Sequence, residues 1–179
     1  MLHHSICFIL KDTMNNKVIT KSGEETKKLA RKIAKSLNCN LLCLYGDLGS
    51  GKTTFTQGLA EYFGIKRLVS PTFVIMRRYS INITNEQLTI SNDQRPMTND
   101  QYLYHIDLYR LENINEIKAI GIEEIIADKN SIVVIEWAER MKEMLPKERV
   151  DICFKYKGDN EREITVFEQG RIKSNSVTQ

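Results

Sequence analysis

The 179-residue sequence has no apolar stretch close to the roughly 18 residues that a membrane-spanning helix needs. The early apolar run at residues 5–10 is too short for the core of a secretory signal peptide. The four cysteines, Cys7, Cys39, Cys43 and Cys153, form no CxxC pair, which argues against a zinc site. Three of them lie in apolar runs, where a small reduced thiol packs well. We therefore expect a cytoplasmic protein without disulfides and without a membrane partner.

The sequence also carries little net charge. Its 26 Lys and Arg residues against 23 Asp and Glu residues leave a formal charge of +3, spread along the chain. This balance is typical of an ordinary solvated surface, and we expect no DNA partner. The length and a hydrophobic content of 41% suit one domain with a core. We predict a loose extension at residues 1–15, one domain at residues 16–170 and a flexible tail at residues 171–179.

The first half of the chain alternates between strand and helix patterns. Residues 17–20 fit a short strand, and Ser22 with Glu25 forms a capping box that opens a helix. The continuous apolar run at residues 41–45 predicts a central parallel strand that is buried on both faces. A glycine-rich turn follows, and residues 53–63 then predict a second helix.

Two further strand patterns lie on either side of a polar segment. Residues 73–79 and 102–109 are rich in aromatic and branched side chains, which favour strands. Between them, residues 82–101 are rich in Asn, Gln, Thr and Asp, which predicts an exposed loop inserted into the domain. Residues 112–128 predict a helix in two pieces, broken at Gly121.

The last third of the chain returns to strands. Residues 131–137 form an apolar strand pattern that closes on Glu136. Apolar side chains alternate at residues 150–156 and again at residues 164–166, which predicts a closing antiparallel hairpin with one buried face. The order of the elements predicts a three-layer α/β fold with a mostly parallel central sheet and an antiparallel edge hairpin.

A phosphate-binding motif lies between the first buried strand and the second helix. Residues 46–53 read Gly-Asp-Leu-Gly-Ser-Gly-Lys-Thr and match the P-loop pattern GxxxxGK(S/T) in full. Its glycines let backbone amides approach phosphates, and the following helix presents its positive end to them. Lys52 then serves the β- and γ-phosphates, and the Thr53 hydroxyl ligates magnesium. The nucleotide-binding residues predicted here are Asp47, Gly49, Ser50, Gly51, Lys52, Thr53 and Thr54.

The identity of the base follows from an absent element. The N-K-x-D element that would read guanine does not occur in the sequence, so ATP with Mg²⁺ is the expected ligand.

A P-loop also needs an acid on a neighbouring strand to hold the metal and orient water. Asp107 and Glu136 each end a strand pattern, and we interpret both as candidates for that role. Their other readings are a capping acid for Asp107 and a surface carboxylate for Glu136. His105, within the strand pattern before Asp107, is interpreted as a packed core histidine rather than a base.

These motifs in combination resemble the TsaE (YjeE) family of bacterial ATPases for tRNA threonylcarbamoyladenosine biosynthesis. The resemblance covers about residues 17–170 and includes four elements in the same order. They are residues 46–55, the segment Ser70-Pro-Thr-Phe73, residues 105–111 and the segment Ile135-Glu-Trp137, with residues 121–124 agreeing between the last two.

The resemblance implies a P-loop NTPase-like fold and a Mg²⁺-dependent ATPase that is weak alone. It implies action on the transferase proteins TsaD and TsaB, with tRNA contacted only indirectly through that complex. By motif, Thr53 and Glu136 would bind magnesium, and Asp107 would assist the metal or polarise the attacking water. Thr72 resembles a switch-like element near the γ-phosphate, and Arg162 matches a basic position near the nucleotide. Lys52, Asp107 and Glu136 are thus the predicted catalytic residues.

A small-molecule kinase is the alternative, because the same cradle and magnesium serve phosphoryl transfer to an acceptor. Such a kinase needs a lid that carries arginines. The best lid candidate, residues 82–101, holds only Arg95, and no acceptor-binding motif is apparent. A nucleotide-gated binding subunit with negligible turnover in the absence of partners also stays open.

Overall fold

The computed structural model describes residues 16–71, 74–81 and 101–169. The predicted extension at residues 1–15, the predicted tail at residues 171–179 and all of the polar insert except Gln101 lie outside this part of the chain. Those assignments stay predictions. Thr72 of the predicted switch-like element also lies outside the described residues.

The centre of the fold is a seven-stranded sheet in the order β1-β7-β6-β2-β5-β4-β3. The strands are β1 (Asn16–Thr20), β2 (Leu41–Tyr45), β3 (Met76–Ser80), β4 (Tyr102–Asp107), β5 (Ile132–Glu136), β6 (Arg149–Gly158) and β7 (Glu161–Gln169). The four inner strands β6, β2, β5 and β4 run parallel, and antiparallel strands flank them on both sides. The predicted fold class, an α/β fold with a mostly parallel central sheet, is confirmed, and the antiparallel hairpin of β6 and β7 lies toward one side of that sheet.

Helices cover both faces of the sheet. They are α1 (Gly23–Lys35), α2 (Lys52–Tyr62), α3 (Ile114–Ala119), α4 (Ile122–Ala127) and a 3₁₀ helix (Ala138–Met144). Helices α1 and α2 share one core cluster with Leu42 and Leu44, and α3, α4 and the 3₁₀ helix share the other with Leu41 and Cys43. Strand β2 is therefore buried on both faces, as its unbroken apolar run predicts. No helix within the described ranges is both long and apolar enough to cross a membrane.

Local sequence signals fix the start of α1 and its contact with α2. The Ser22 side chain accepts a hydrogen bond from the Glu25 amide at 3.1 Å, as the predicted capping box requires. The Glu25 carboxylate accepts from the Lys21 amide at 2.7 Å, so the return bond reaches one residue further back than in the standard box. In α2, Gly58 lies so close to α1 that a Cβ there would stand 2.5 Å from the Lys27 carbonyl oxygen.

The strand predicted at residues 73–79 starts later than its aromatic and branched residues suggest. The amides of Val74 and Ile75 both donate to the Pro71 carbonyl, and Ile75 has a φ of 66°. This turn occupies the first part of the predicted strand, so β3 begins only at Met76. The prediction was wrong for Val74 and Ile75 because the proline-led turn overrides their β propensity.

The closing hairpin exists, but its burial differs from the prediction of one buried face. Residues 150–154 of β6 are all buried, and residues 155–157 are exposed. The reason is topological, because β6 lies parallel beside β2 inside the sheet rather than at its edge. Strand β1 covers β7 and forms the edge on this side among the described residues.

Candidate functional site

The P-loop joins β2 to α2 in a conformation that depends on its glycines. Gly46 has a φ of 138°, and a Cβ at this position would stand 2.5 Å from the Phe154 carbonyl oxygen. Gly51, with a φ of 104°, is the N-cap of α2 and, as a glycine, has no side chain that could cap the helix. The first amides of α2 therefore have no capping side chain in front of them, which is the arrangement that suits an anion.

Lys52 is held inside the loop that it follows. Its Nζ donates to the carbonyl oxygens of Gly46 at 2.6 Å and Asp47 at 2.9 Å, and it lies 4.1 Å from the centroid of the Trp137 ring. Burial lowers the pKa of the Lys52 ammonium, and the nearby Glu136 carboxylate partly offsets this effect. These carbonyl acceptors are neutral, so charged phosphate oxygens, which bind an ammonium more strongly, can replace them.

Glu136 connects the P-loop with the interior of the sheet. The Thr53 hydroxyl donates to the Glu136 carboxylate, with Oγ1 at 2.9 Å from Oε1 and 3.1 Å from Oε2. His105 Nε2 lies 2.8 Å from the same Oε1. Glu136 is only 3% exposed and His105 is fully buried, so the surface reading of Glu136 is wrong and the core reading of His105 is confirmed.

Asp107 ends β4 next to Glu136 at the end of β5, and the two are register partners. Asp107 is 4% exposed, and its Oδ1 accepts a hydrogen bond from the Tyr109 amide at 3.0 Å. Parallel strands bring their carboxyl ends to one edge of a sheet, which is where ligands of open α/β folds bind.

A cavity of about 210 Å³ opens between the P-loop and these strand ends. It is lined by Leu48, Gly49, Ser50, Gly51, Lys52, Thr53, Thr54, Asp107, Tyr109, Glu136 and Trp137. It is smaller than the roughly 300 Å³ of a typical small-molecule site, so it suits phosphate groups rather than a whole nucleotide. Asp47, the remaining predicted P-loop residue, takes part through its carbonyl bond to Lys52.

Sequence reasoning missed Leu48 and Tyr109 as lining residues. Leu48 is an unspecified position of the P-loop pattern and is 76% exposed. Tyr109 packs on Trp137 with ring centroids 5.0 Å apart. The position of Tyr109, two residues after the acid that ends β4, is the one feature of the sequence that could have indicated it.

Arg162, in β7, reaches the outer side of the P-loop. One guanidinium nitrogen donates to the Gly49 carbonyl at 3.3 Å, another to the Glu161 carbonyl at 3.0 Å, and the group lies 4.5 Å from the Tyr156 ring centroid. Among the described residues, the buried Nε of Arg162 and the buried hydroxyl of Ser50 have no hydrogen-bond partner. Both polar groups therefore retain hydrogen-bonding capacity at the P-loop.

The oxygen atoms available at this site have the chemistry that magnesium prefers rather than zinc. Thr53 and Glu136 offer a hydroxyl and a carboxylate side by side. The described part of the chain has no cluster of three or more His, Cys, Asp or Glu residues that could hold a metal by itself. Magnesium is usually bound by one or two protein oxygens together with phosphates and water, so this small donor set is sufficient for it.

Comparisons with known proteins decide the family. The family model described as "Threonylcarbamoyl adenosine biosynthesis protein TsaE" matches residues 20–164. The chain belongs to the TsaE family. The tRNA threonylcarbamoyladenosine biosynthesis protein TsaE of Bacillus subtilis (strain 168) is 40% identical over 148 residues, which cover 82% of this chain and 81% of the relative. TsaE of Rickettsia bellii (strain RML369-C) is 34% identical over 152 residues, which cover 83% of this chain and 92% of the relative.

A solved structure agrees with this assignment. The crystal structure of Bacillus subtilis YdiB superposes with a TM-score of 0.66 at 34% identity, covering 89% of this chain and 90% of YdiB. The TsaE resemblance carried by the four sequence motifs is thereby confirmed. With it, the chain is a member of a family of tRNA threonylcarbamoyladenosine biosynthesis proteins.

Proposed function

We propose that this TsaE-family protein is a Mg²⁺-dependent ATPase of tRNA threonylcarbamoyladenosine biosynthesis. In this proposal it acts on the TsaD and TsaB transferase proteins, and it meets tRNA only through their complex. The observation that carries the proposal is the hydrogen bond between Thr53, the last P-loop residue, and Glu136 at the end of the neighbouring strand. In P-loop proteins, the hydroxyl that ends the P-loop and an acid on a neighbouring strand are the usual residues that hold magnesium with the nucleotide.

The proposed reaction is attack of water on the γ-phosphorus of ATP, which breaks the bond to the bridging oxygen and releases ADP and phosphate. Lys52 leaves the Gly46 and Asp47 carbonyls and holds the β- and γ-phosphates. Thr53 and Glu136 would hold magnesium, which when bound would neutralise charge on the phosphates. Asp107 orients or polarises the water, and its place beside Glu136 gives it access to the same edge of the sheet.

The other predicted residues serve the nucleotide. Backbone amides of the P-loop surround the phosphates, with Asp47, Gly49, Ser50, Gly51 and Thr54 contributing to the cradle. Arg162 contacts the Gly49 carbonyl from the outer side of the P-loop, and we assign it to nucleotide binding as the family resemblance implies. Thr72 stays a predicted switch-like residue, outside the described residues.

Dependence on partners fits the composition of the cavity. Its described lining contains one lysine and no arginine. An arginine that approaches the γ-phosphate accelerates P-loop hydrolysis by about 10³–10⁵. We therefore expect slow turnover by the isolated chain and faster turnover when TsaD and TsaB bind and complete or close the site.

We also propose that the protein works in the cytoplasm. The free thiols of Cys39, Cys43 and Cys153 are compatible with that reducing compartment.

The first test is nucleotide binding by the purified chain with Mg²⁺ and with EDTA, followed by product analysis. We expect ATP to bind more tightly with Mg²⁺ than without it, GTP to bind more weakly, and ADP and free phosphate to form in equal amounts. ADP that forms only when a small-molecule acceptor is present, without free phosphate, would identify the alternative kinase. If ATP does not bind in any condition, with Mg²⁺ or with EDTA, the proposal is overturned.

A further inference from the structure

His105 lies in β4, two residues before Asp107, and is the most deeply buried titratable side chain beside the P-loop. It is 0% exposed, between register partners Arg77 on β3 and Val134 on β5. Its only described side-chain hydrogen bond joins Nε2 to Glu136 Oε1 at 2.8 Å. A carboxylate only accepts hydrogen bonds, so we assign Nε2 as the donor that carries the hydrogen.

Glu136 is thereby held from two sides. His105 donates to Oε1 from the interior, and the Thr53 hydroxyl donates to both carboxylate oxygens from the P-loop. The hydroxyl hydrogen of Thr53 is engaged in these bonds, so the remaining lone pairs of Oγ1 are available to a cation. His105, Glu136 and Thr53 form a continuous chain of hydrogen bonds from the sheet interior to the cavity.

The other ring nitrogen of His105 contributes no hydrogen bond to the described part of the fold. Nδ1 is buried and has no hydrogen-bond partner among the described residues. A buried polar atom without a partner lowers stability, whereas an apolar side chain of similar size would avoid that loss. The benefit of a histidine at this position therefore lies in what Nε2 does for Glu136.

We propose that His105 is a positioning residue for the magnesium site. Through Nε2 it fixes the orientation of the Glu136 carboxylate, so that Glu136 and Thr53 are aligned for Mg²⁺ before the nucleotide enters. His105 is fully buried and does not line the cavity, so we do not class it as a catalytic residue. This inference rests on the proposed function, because it assigns a role within the same site. Mutation of a residue that hydrogen-bonds to a metal-binding side chain typically lowers metal affinity by about 10–100-fold.

The test compares His105→Asn with His105→Gln. The glutamine amide nitrogen reaches about as far as the imidazole Nε2, whereas the asparagine amide ends near the position of Nδ1 and falls short of Glu136. Three quantities are measured. The first is the Mg²⁺ concentration at which Mg²⁺ binding to the ATP-saturated protein is half-maximal. The others are the nucleotide affinity in EDTA and the midpoint of thermal unfolding. We expect His105→Asn to need at least about tenfold more Mg²⁺. His105→Gln should recover most of this loss, and affinity in EDTA should stay unchanged in both.

Two results would overturn the inference. One is an equal Mg²⁺ requirement in the wild type and His105→Asn. The other is an equal loss in His105→Asn and His105→Gln, which would indicate a purely structural role. If the wild type binds no nucleotide, the proposed function fails first, and the two failures are therefore distinguishable.

A measurement on the unaltered chain covers the case in which the variants do not fold. With ¹⁵N-labelled histidine, NMR reads the ring tautomer of His105 directly, and the other two histidines, His3 and His4, provide references in the same spectrum. We expect the hydrogen of His105 on Nε2 without ligand, and a shift of this signal when Mg²⁺ is added with ATP but not with ATP in EDTA. A hydrogen on Nδ1 would contradict the inference, and so would a His105 signal that does not change when Mg²⁺ is added with ATP.

Discussion

Asp107 and Glu136 are register partners on the adjacent parallel strands β4 and β5, so two buried carboxylates end at the same edge of the sheet. Their hydrogen bonds differ. Glu136 accepts from Thr53 of the P-loop and from His105, whereas Asp107 accepts from the Tyr109 amide in its own loop. The two acids therefore have separate tasks in the proposed reaction, and each task can be tested alone.

Removal of each carboxylate should affect a different step. Glu136→Ala deletes the partner of Thr53 and should weaken Mg²⁺-dependent ATP binding by about tenfold or more. Asp107→Asn keeps the shape and the acceptor for Tyr109, so it should spare binding and lower kcat by about 10²-fold or more. Nucleotide titrations with Mg²⁺ and with EDTA, together with single-turnover hydrolysis, separate the two effects. Equal loss of binding in both variants would refute this division of roles.

Lys52 should be indispensable for tight nucleotide binding, and Trp137 should report it. The ammonium lies 4.1 Å from the centroid of the only tryptophan in the chain, so its movement to a phosphate changes the surroundings of the indole. We expect ATP to change the tryptophan fluorescence of the wild type. Lys52→Ala should weaken binding by about tenfold or more, since each charged hydrogen bond contributes about 1.5–3 kcal/mol. Trp137→Phe is the control for the signal, and unchanged ATP affinity in Lys52→Ala would contradict the assignment.

ATP binding should weaken as the pH rises, and the decline should begin at a lower pH than the ordinary pKa of a lysine would predict. Burial lowers the pKa of Lys52 from the ordinary value of 10.5, and phosphate binding requires the charged form. Affinity should stay level while the free protein keeps Lys52 protonated, and it should fall once the pH rises through the lowered pKa. Titrations from neutral to alkaline pH test this point. The decline should be absent in Lys52→Ala, and the same decline in that variant would assign it to another group.

The contact between α1 and α2 should tolerate no side chain at Gly58. A Cβ there would stand 2.5 Å from the Lys27 carbonyl oxygen and 2.9 Å from the Ala30 Cβ, and neither neighbour can turn away. Gly58→Ala should lower the free energy of unfolding by about 1–3 kcal/mol in spite of the better helix propensity of alanine. Gly23→Ala is the matched control, because its Cβ would meet only Thr54 Cγ2 at 3.6 Å. Denaturant unfolding that ranks the two variants equally would disprove the packing argument.

The sequence predicted the elements that short-range patterns control. The apolar run of β2, the capping box at Ser22, the break at Gly121 and the P-loop each depend on residues within one turn or strand. The mainly parallel sheet followed from the order of these elements. Such features need no knowledge of distant contacts, and they were enough to locate Lys52 and Thr53 at the start of α2.

Features that depend on strand order were not predictable in the same way. The alternation in β6 is compatible with a half-buried edge strand, and only its pairing with β2 explains why residues 150–154 are all buried. Likewise, the bonds from Glu136 to Thr53 and His105 join residues that are 83 and 31 positions apart. The pairing of β5 with β4 places Glu136 near His105, and its pairing with β2, which leads into the P-loop, places it near Thr53. The pattern of a single strand does not specify which strands lie beside it.

In the proposed function, ATP turnover is coupled to the threonylcarbamoyl transferase proteins. The most direct measurement is the rate of ATP hydrolysis by the purified chain alone and with its cognate TsaD and TsaB, with Lys52→Ala as the control. We expect slow turnover by the chain alone, a clear increase with both partners, and no increase in the Lys52→Ala variant. An equal rate of hydrolysis with and without TsaD and TsaB would contradict the proposed function.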